Sequence, residues 1–147
     1  MARLRSARIK DLDRLEKIVR AAFAPYAEII GKRPAPMDAE YATAIRAGRV
    51  ILAEKAEITG VAILEIRGRE IWLDTLAVLP GVQGSGTGTR LVAAAEDWAR
   101  QNGARELKLY TNAAMTRNLT YYPRLGFEET HRAKMDGFDR VFFTKKL

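Results

Sequence analysis

The residues Gln83-Gly84-Ser85-Gly86-Thr87-Gly88 set three glycines at alternate positions with hydroxyl side chains between them, and Thr89 extends the series. An apolar run ending at Val78 precedes the loop. After it, Leu91, Ala95, Trp98, Ala99 and Asn102 recur at steps of three and four, the spacing of one helix face. A glycine-rich turn that opens a helix is a site for an anion. The first helical N–H groups have no partner within the helix and carry a partial positive charge, and glycine lets the backbone approach a phosphate closely. The hydroxyls of Ser85, Thr87 and Thr89 add candidate donors. Two familiar nucleotide patterns do not fit. A P-loop requires a Lys that this loop lacks. A dinucleotide-binding turn requires a third glycine where Thr89 stands, and it opens its fold, whereas this loop follows three strands.

Composition excludes other chemistry. The chain has no Cys, so it has neither a disulfide nor a cysteine nucleophile. Its single histidine, His131, argues against a Ser-His-Asp triad or a His-rich zinc site, and His131 reads as structural; no metal is expected.

The elements that must position the loop follow from periodicity. Arg3 to Arg8 alternates and reads as a short strand. Asp11 is placed to cap a helix carrying Leu12, Leu15, Ile18, Val19 and Ala22, which fades near Pro25. The segment from Pro25 to Pro36 is expected as a loop or broken helix, and Met37 to Ala47 as a second helix stopped by Gly48. Strands follow at 50–54, Ile58 to Ile66 and Glu70 to Val78, the last two joined by a hairpin at Arg67-Gly68-Arg69. In the last of them Ile71, Leu73, Thr75 and Ala77 are expected on one face, and Trp72, Asp74, Leu76 and Val78 on the other. Beyond the glycine loop come a helix to about Gly103, a strand at 106–111, a short helix through Met115, Leu119 and Tyr122, and two strands about the turn Asp136-Gly137. Pro123 is expected to kink or end the short helix at Tyr122. Trp98 is expected in the core. The reading is one mixed α/β domain over residues 1–147, with a mostly antiparallel sheet of about seven strands and about four helices.

A formal charge of +7, from 25 Lys and Arg against 18 Asp and Glu, permits an anionic partner. The charges alternate along the chain, and no basic run with interleaved aromatics is present, so neither nucleic acid nor a membrane surface is expected as partner. No apolar run approaches the roughly 20 residues of a membrane span, and the opening MARLRSARIK lacks the apolar stretch of a secretory signal. The cytoplasm is the default expectation.

The stretch LAVLPGVQGSGTGTRLV resembles the acyl-CoA-binding signature of the GNAT superfamily of N-acyltransferases, and NLTYYPRLGFEE resembles its second motif. The element order is also that of the superfamily. The resemblance implies a fold whose fourth and fifth strands splay apart, with acetyl-CoA as co-substrate and an amine, free or on a peptide or protein, as acceptor. Backbone groups of Leu76, Ala77 and Val78 would hold pantetheine. Residues Gln83, Gly84, Ser85, Gly86, Thr87, Gly88 and Thr89 would hold pyrophosphate, with Arg90, Arg117 and Arg124 as candidate helpers. Asn118 and Tyr122 would touch the cofactor. Tyr122 would protonate the departing thiolate, and the Val78 amide would stabilise the oxyanion. Asp74 is the candidate base, with Glu28 and Glu40 as rivals. Phe23 and Tyr26, together with Tyr41, would form an apolar acceptor wall, with Trp72 a further candidate. Among the charges of the acceptor region, Glu28, Asp38 and Glu40 favour a cationic acceptor and Lys32 and Arg33 an acidic one. Homodimers are common in the superfamily. A non-catalytic acyl-CoA sensor on the same fold is the alternative.

Overall fold

The computed structural model describes residues 2–147; Met1 lies outside them. Seven strands form one sheet in the order β1-β2-β3-β4-β5-β7-β6: β1 (Arg3–Ser6), β2 (Val50–Lys55), β3 (Glu57–Arg67), β4 (Glu70–Val78), β5 (Glu106–Asn112), β6 (Glu128–Met135) and β7 (Phe138–Lys146). All neighbours are antiparallel except β4 and β5, which are parallel. Five α-helices accompany the sheet, one more than expected: α1 (Leu12–Phe23), α2 (Tyr26–Ile30), α3 (Ala42–Arg46), α4 (Thr87–Gln101) and α5 (Thr116–Arg124).

Each face of the sheet buries a separate apolar cluster. Leu15, Ile18 and Val19 of α1 and Ile45 of α3 pack on Val61 and Ile63 of β3. Leu91, Ala95 and Ala99 of α4 and Tyr122 of α5 pack on Leu64, Leu107, Leu109 and Phe143 from the other side. The expected stripes of α1 and α4 supply these contacts, except that Trp98 is only partly buried; its indole N–H donates to the Gly48 carbonyl (3.2 Å).

Several local expectations are corrected. Asp11 does not cap α1 through its side chain. The carboxylate turns back to accept from the Arg8 amide (2.8 Å) and pairs with Arg5 (3.0 Å). Met37 to Ala47 is not one helix: a 3₁₀ turn at Ala35–Asp38 precedes α3, which begins only at Ala42. The helix α5 passes through Pro123 to Arg124. Proline is tolerated there because it lies in the last turn, where the chain already tightens: the Leu125 and Gly126 amides bond Tyr122 and Pro123, three residues back.

The faces of β4 differ from strict alternation. Ile63 pairs with Thr75 but Leu64 with Leu73, which leaves Asp74 as the extra residue of a β-bulge. The bulge transfers the side chains beyond it to the opposite face. Ile71 and Leu73 pack with α4 and α5, whereas Ala77 packs with α1 and α3, and Leu76 and Val78 turn to the α4–α5 side. Asp74 therefore does not share a regular face with Leu76 and Val78, as unbroken alternation required.

Candidate active site

The strands β4 and β5 pair only at Trp72 and Lys108. Past that point they diverge, which is the expected splay. The Leu79 amide bonds the Thr59 carbonyl (2.9 Å), making these residues a hydrogen-bonded pair with β3. In an antiparallel ladder the alternate pairs point their N–H and C=O groups away from the partner, so the register Gly60↔Val78 and Ala62↔Leu76 turns the backbones of Val78 and Leu76 into the splay. Ala77 pairs with Val61, so its own N–H and C=O belong to β3 and cannot serve a ligand, contrary to expectation. The Val78 carbonyl accepts from the Gln83 amide group (3.2 Å), which ties the glycine loop to the end of β4.

The loop has the geometry its composition implies. Gly84 and Gly86 hold φ of 87° and 88°, a left-handed conformation that favours glycine. At Gly88 an added Cβ would make ordinary contact, 3.4 Å from the Tyr121 hydroxyl, so space does not require glycine there. Among the described residues the amides of Gly84, Gly86, Thr87, Gly88 and Thr89 find no acceptor. The hydroxyls do not all face outward. Thr87 is buried and its hydroxyl is engaged with that of Ser85 (2.9 Å), so Ser85 and Thr87 shape the turn, while Thr89 bonds the Tyr121 hydroxyl (3.0 Å). Gly84, Gly86, Gly88, Thr89, Arg117 and Arg124 border a cavity of about 610 Å³. Neither Arg117 nor Arg124 forms an ion pair among the described residues. Arg90 is turned elsewhere, donating to the Ala2 carbonyl.

A second cavity, of about 280 Å³, runs through the splay. The walls shared with the first cavity are Tyr26, Leu76, Val78, Gln83 and Asn118. Asn118 donates to the Thr111 hydroxyl (2.9 Å). Tyr122 reaches the cavity from α5 with its ring packed on Phe127 and Phe143; burial pushes its phenol well above the ordinary value, so it stays protonated at neutral pH. Phe23, Tyr26 and Tyr41 line the opposite end, and the Tyr41 hydroxyl donates to the Pro36 carbonyl (2.6 Å), holding the segment 34–36 against the cavity. Trp72 is not on the wall. It packs with Tyr110 and Phe142 (centroids at 6.1 and 6.2 Å), and Arg67 lies 4.8 Å above its ring.

Asp74 lines the cavity from the bulge. Burial and the neighbouring Glu65 push its carboxyl up to about 6, and Arg67 (3.9 Å) and the Thr75 hydroxyl (3.5 Å) oppose the shift. A carboxylate with that acidity is ionised at neutral pH and close enough to it to exchange protons. Its rivals do not reach the cavity. Glu28 is exposed, and Glu40 is exposed and caps α3 through the Thr43 amide (3.0 Å). His131 stacks on Phe142 (4.2 Å) on the exposed strand β6, away from both cavities.

Sequence reasoning missed Tyr121 and Tyr110, and reached Phe138 and Arg140 only as part of the C-terminal hairpin, residues 134–140, which the family resemblance assigns to acceptor choice. Tyr121 was legible only as a neighbour of Tyr122; its hydroxyl sits at the glycine loop, while the other three line the smaller cavity.

Comparison with known proteins accords with this geometry. The chain resembles the aminoglycoside N(6')-acetyltransferase type 1 of Salmonella typhimurium, with 34% identity over 76 residues covering 52% of this chain and 48% of that protein. It resembles the uncharacterized N-acetyltransferase YhfO of Bacillus subtilis with 40% identity over 57 residues, 39% of this chain and 38% of that one. The matches thus span about half or less of these curated relatives. Among solved structures, PaiA N-acetyltransferase of Thermoplasma acidophilum, in complex with coenzyme A, superposes with a TM-score of 0.81 at 19% identity over 100% of this chain and 99% of that one. The ribosomal-protein-S18-alanine N-acetyltransferase of Escherichia coli does so with a TM-score of 0.79 at 21% identity, covering 99% and 94%. The model of the Acetyltransferase (GNAT) family matches residues 12–127, most of the chain, and with the splayed β4–β5 cleft in place the chain belongs to that acetyltransferase family.

Proposed function

We propose that this chain transfers an acetyl group from acetyl-CoA directly to an amine. The observation that carries the reading is the continuity of the splay. One open strand edge runs from a loop of unpaired amides to a cavity that holds a carboxylate and a phenol. Acetyl-CoA fits this arrangement group by group. The amides of Gly84, Gly86, Thr87, Gly88 and Thr89 suit a pyrophosphate. The exposed edges of Leu76 and Val78 suit the amides of an extended pantetheine arm. Arg117 and Arg124 border the same cavity and suit further phosphate charge. Two solved structures of similar fold support the choice of ligand: the Thermoplasma protein is in complex with coenzyme A, and YncA of Salmonella typhimurium is with acetyl-CoA.

Bound acetyl-CoA supplies an acyl carbon activated as a thioester. This chain's residues supply the rest. Asp74 accepts the proton that the ammonium must lose before nitrogen can attack. The Val78 N–H, on the open edge, donates to the carbonyl oxygen as negative charge develops on it. Tyr122 gives its phenolic proton to the departing sulfur, whose thiol has an ordinary pKa near ~8.5. Overall one C–N bond forms and one C–S bond breaks; of the two protons that the ammonium loses, the first goes to Asp74 and on to solvent, and the second, lost after attack, restores the proton that the Tyr122 phenol gives to sulfur. Asn118 holds the rim between the two cavities, and Phe23 and Tyr26 shield the acceptor end from water.

Titration calorimetry with acetyl-CoA, followed by thiol release in the presence of a panel of amines, tests the reading. Saturable binding and amine-dependent release are expected. A folded protein that binds no acyl-CoA would refute it, and binding without release from any amine would leave a sensor in place of an enzyme.

A further inference from the structure

The charges that sequence left in conflict over the acceptor are mostly spoken for in the fold. Lys32 donates to the Gly137 carbonyl (2.6 Å) and lies 4.0 Å over the Phe138 ring, so it straps the segment after α2 to the β6–β7 turn. Arg33 pairs with Asp38 (3.1 Å), and Glu40 caps α3. Two charged side chains line the smaller cavity instead: Asp74, and Arg140 of β7.

Arg140 is an unusual cation. Its side chain is 7% exposed, and its single ion pair is a 3.4 Å contact with Asp136, itself 77% exposed. A guanidinium has five N–H donors, and a buried charge requires close partners. The only hydrogen bond from this guanidinium among the described residues is the one to Asp136. The guanidinium lies over aromatic rings, 4.4 Å from the Tyr110 centroid and 5.3 Å from that of Phe138. Asn112, its partner in the ladder, and Phe138 stand on the same cavity wall. Such a planar fork, set between aromatic rings and poor in protein acceptors, matches a carboxylate bidentately.

We propose that Arg140 is the specificity determinant for the acceptor, which is a small amine bearing a carboxylate. This rests on the acetyl-transfer reading above. The ammonium end lies toward Asp74 and the carboxylate toward Arg140. Tyr110 stands between them, its ring approached by Arg140 on one side and by Arg67, the neighbour of Asp74, at 5.8 Å. The apolar body of the acceptor contacts Phe23, Tyr26 and Phe138. A cavity of about 280 Å³ admits a molecule of amino-acid or dipeptide size.

The test pairs each of a set of α-, β- and ω-amino acids and dipeptides with its carboxamide, and follows thiol release from acetyl-CoA with the wild type, Arg140→Gln and Arg140→Lys. Thermal melts and acetyl-CoA titrations of all three proteins establish folding and cofactor binding separately. In the wild type at least one free acid is expected to exceed its carboxamide in kcat/KM by about 100-fold, the scale of an unpaired buried charge. Arg140→Gln should erase that preference through KM for the free acid, leaving the affinity for acetyl-CoA within about threefold. Arg140→Lys should restore the preference only in part, because an ammonium lacks the fork. Should Arg140→Gln fail to fold, the wild-type preference and Arg140→Lys decide alone. Equal use of acids and carboxamides, or turnover of cationic amines only, would overturn the proposal while acetyl transfer stands. No binding of acetyl-CoA by the wild type would overturn both.

Discussion

Asp74 and Tyr122 line one cavity from different elements, and burial raises the pKa of both. For Asp74 the consequence is a pH limb. Its carboxylate form, which the proposed proton transfer requires, is populated above about 6, so kcat/KM is expected to rise through that pH; the Asp74→Asn profile should lack this limb. The same shift has a stability counterpart. The native carboxyl binds a proton more tightly than the unfolded one, so between the ordinary carboxylate value and about 6 stability falls as pH rises. Asp74→Asn should therefore be less active yet more stable at neutral pH, by about 1–2 kcal/mol, after allowing for a side chain still partly open to water. Chemical denaturation at pH 4 and pH 7 checks this, the gain being expected only at the higher pH. Tyr122→Phe keeps the ring among Phe127 and Phe143, so its melting point should barely move. Its kcat should fall by about 100-fold with acetyl-CoA affinity intact, the scale of a lost general acid. An unchanged kcat would remove Tyr122 from that role.

At the scale of elements, the glycine loop and the bulge in β4 do different work. The loop presents amides, and its glycines are set by φ. Gly86→Val forces a branched side chain into a left-handed backbone at the start of α4 and is expected to weaken acetyl-CoA binding at least tenfold while leaving the core untouched. Calorimetry beside a denaturation curve separates the two effects. The loop was legible because glycine alternation and helical spacing are local signals. The splay was expected only through the family resemblance. The bulge was not legible at all. Alternation of buried with partly buried residues continues unbroken from Ile71 to Ala77, because helices cover both faces of the sheet; a change of face leaves no mark on such a pattern. For the same reason the sequence could give Asp74 a strand position but not its direction. Arg140 was hidden differently. The resemblance pointed to the whole hairpin 134–140, and only the aromatic rings of Tyr110 and Phe138 single out Arg140 as the buried charge within it.

For the whole molecule, the net charge of +7 is distributed unevenly in function. About half of the basic side chains pair with a carboxylate, as with Arg5 on Asp11 and Glu54, Arg100 on Asp97 and Lys145 on Glu96. Arg117 and Arg124 are exceptions placed where a phosphate-rich ligand would lie. Acetyl-CoA affinity should therefore fall as ionic strength rises, and the double change Arg117→Ala, Arg124→Ala should weaken binding and flatten that dependence. A dependence on salt unaltered by the double change would move the phosphates elsewhere. The chain has no Cys to carry an acetyl thioester, and the proposed direct transfer requires donor and acceptor to occupy the splay together. Incubating the protein with acetyl-CoA, first alone and then with an amine it accepts, puts that to the test when thiol release and intact protein mass are followed together. Release that begins only with the amine, matched by acetylated amine and an unchanged protein mass, is the predicted result. A burst of thiol before the amine is added, with an acetyl group appearing on the protein, would contradict direct transfer.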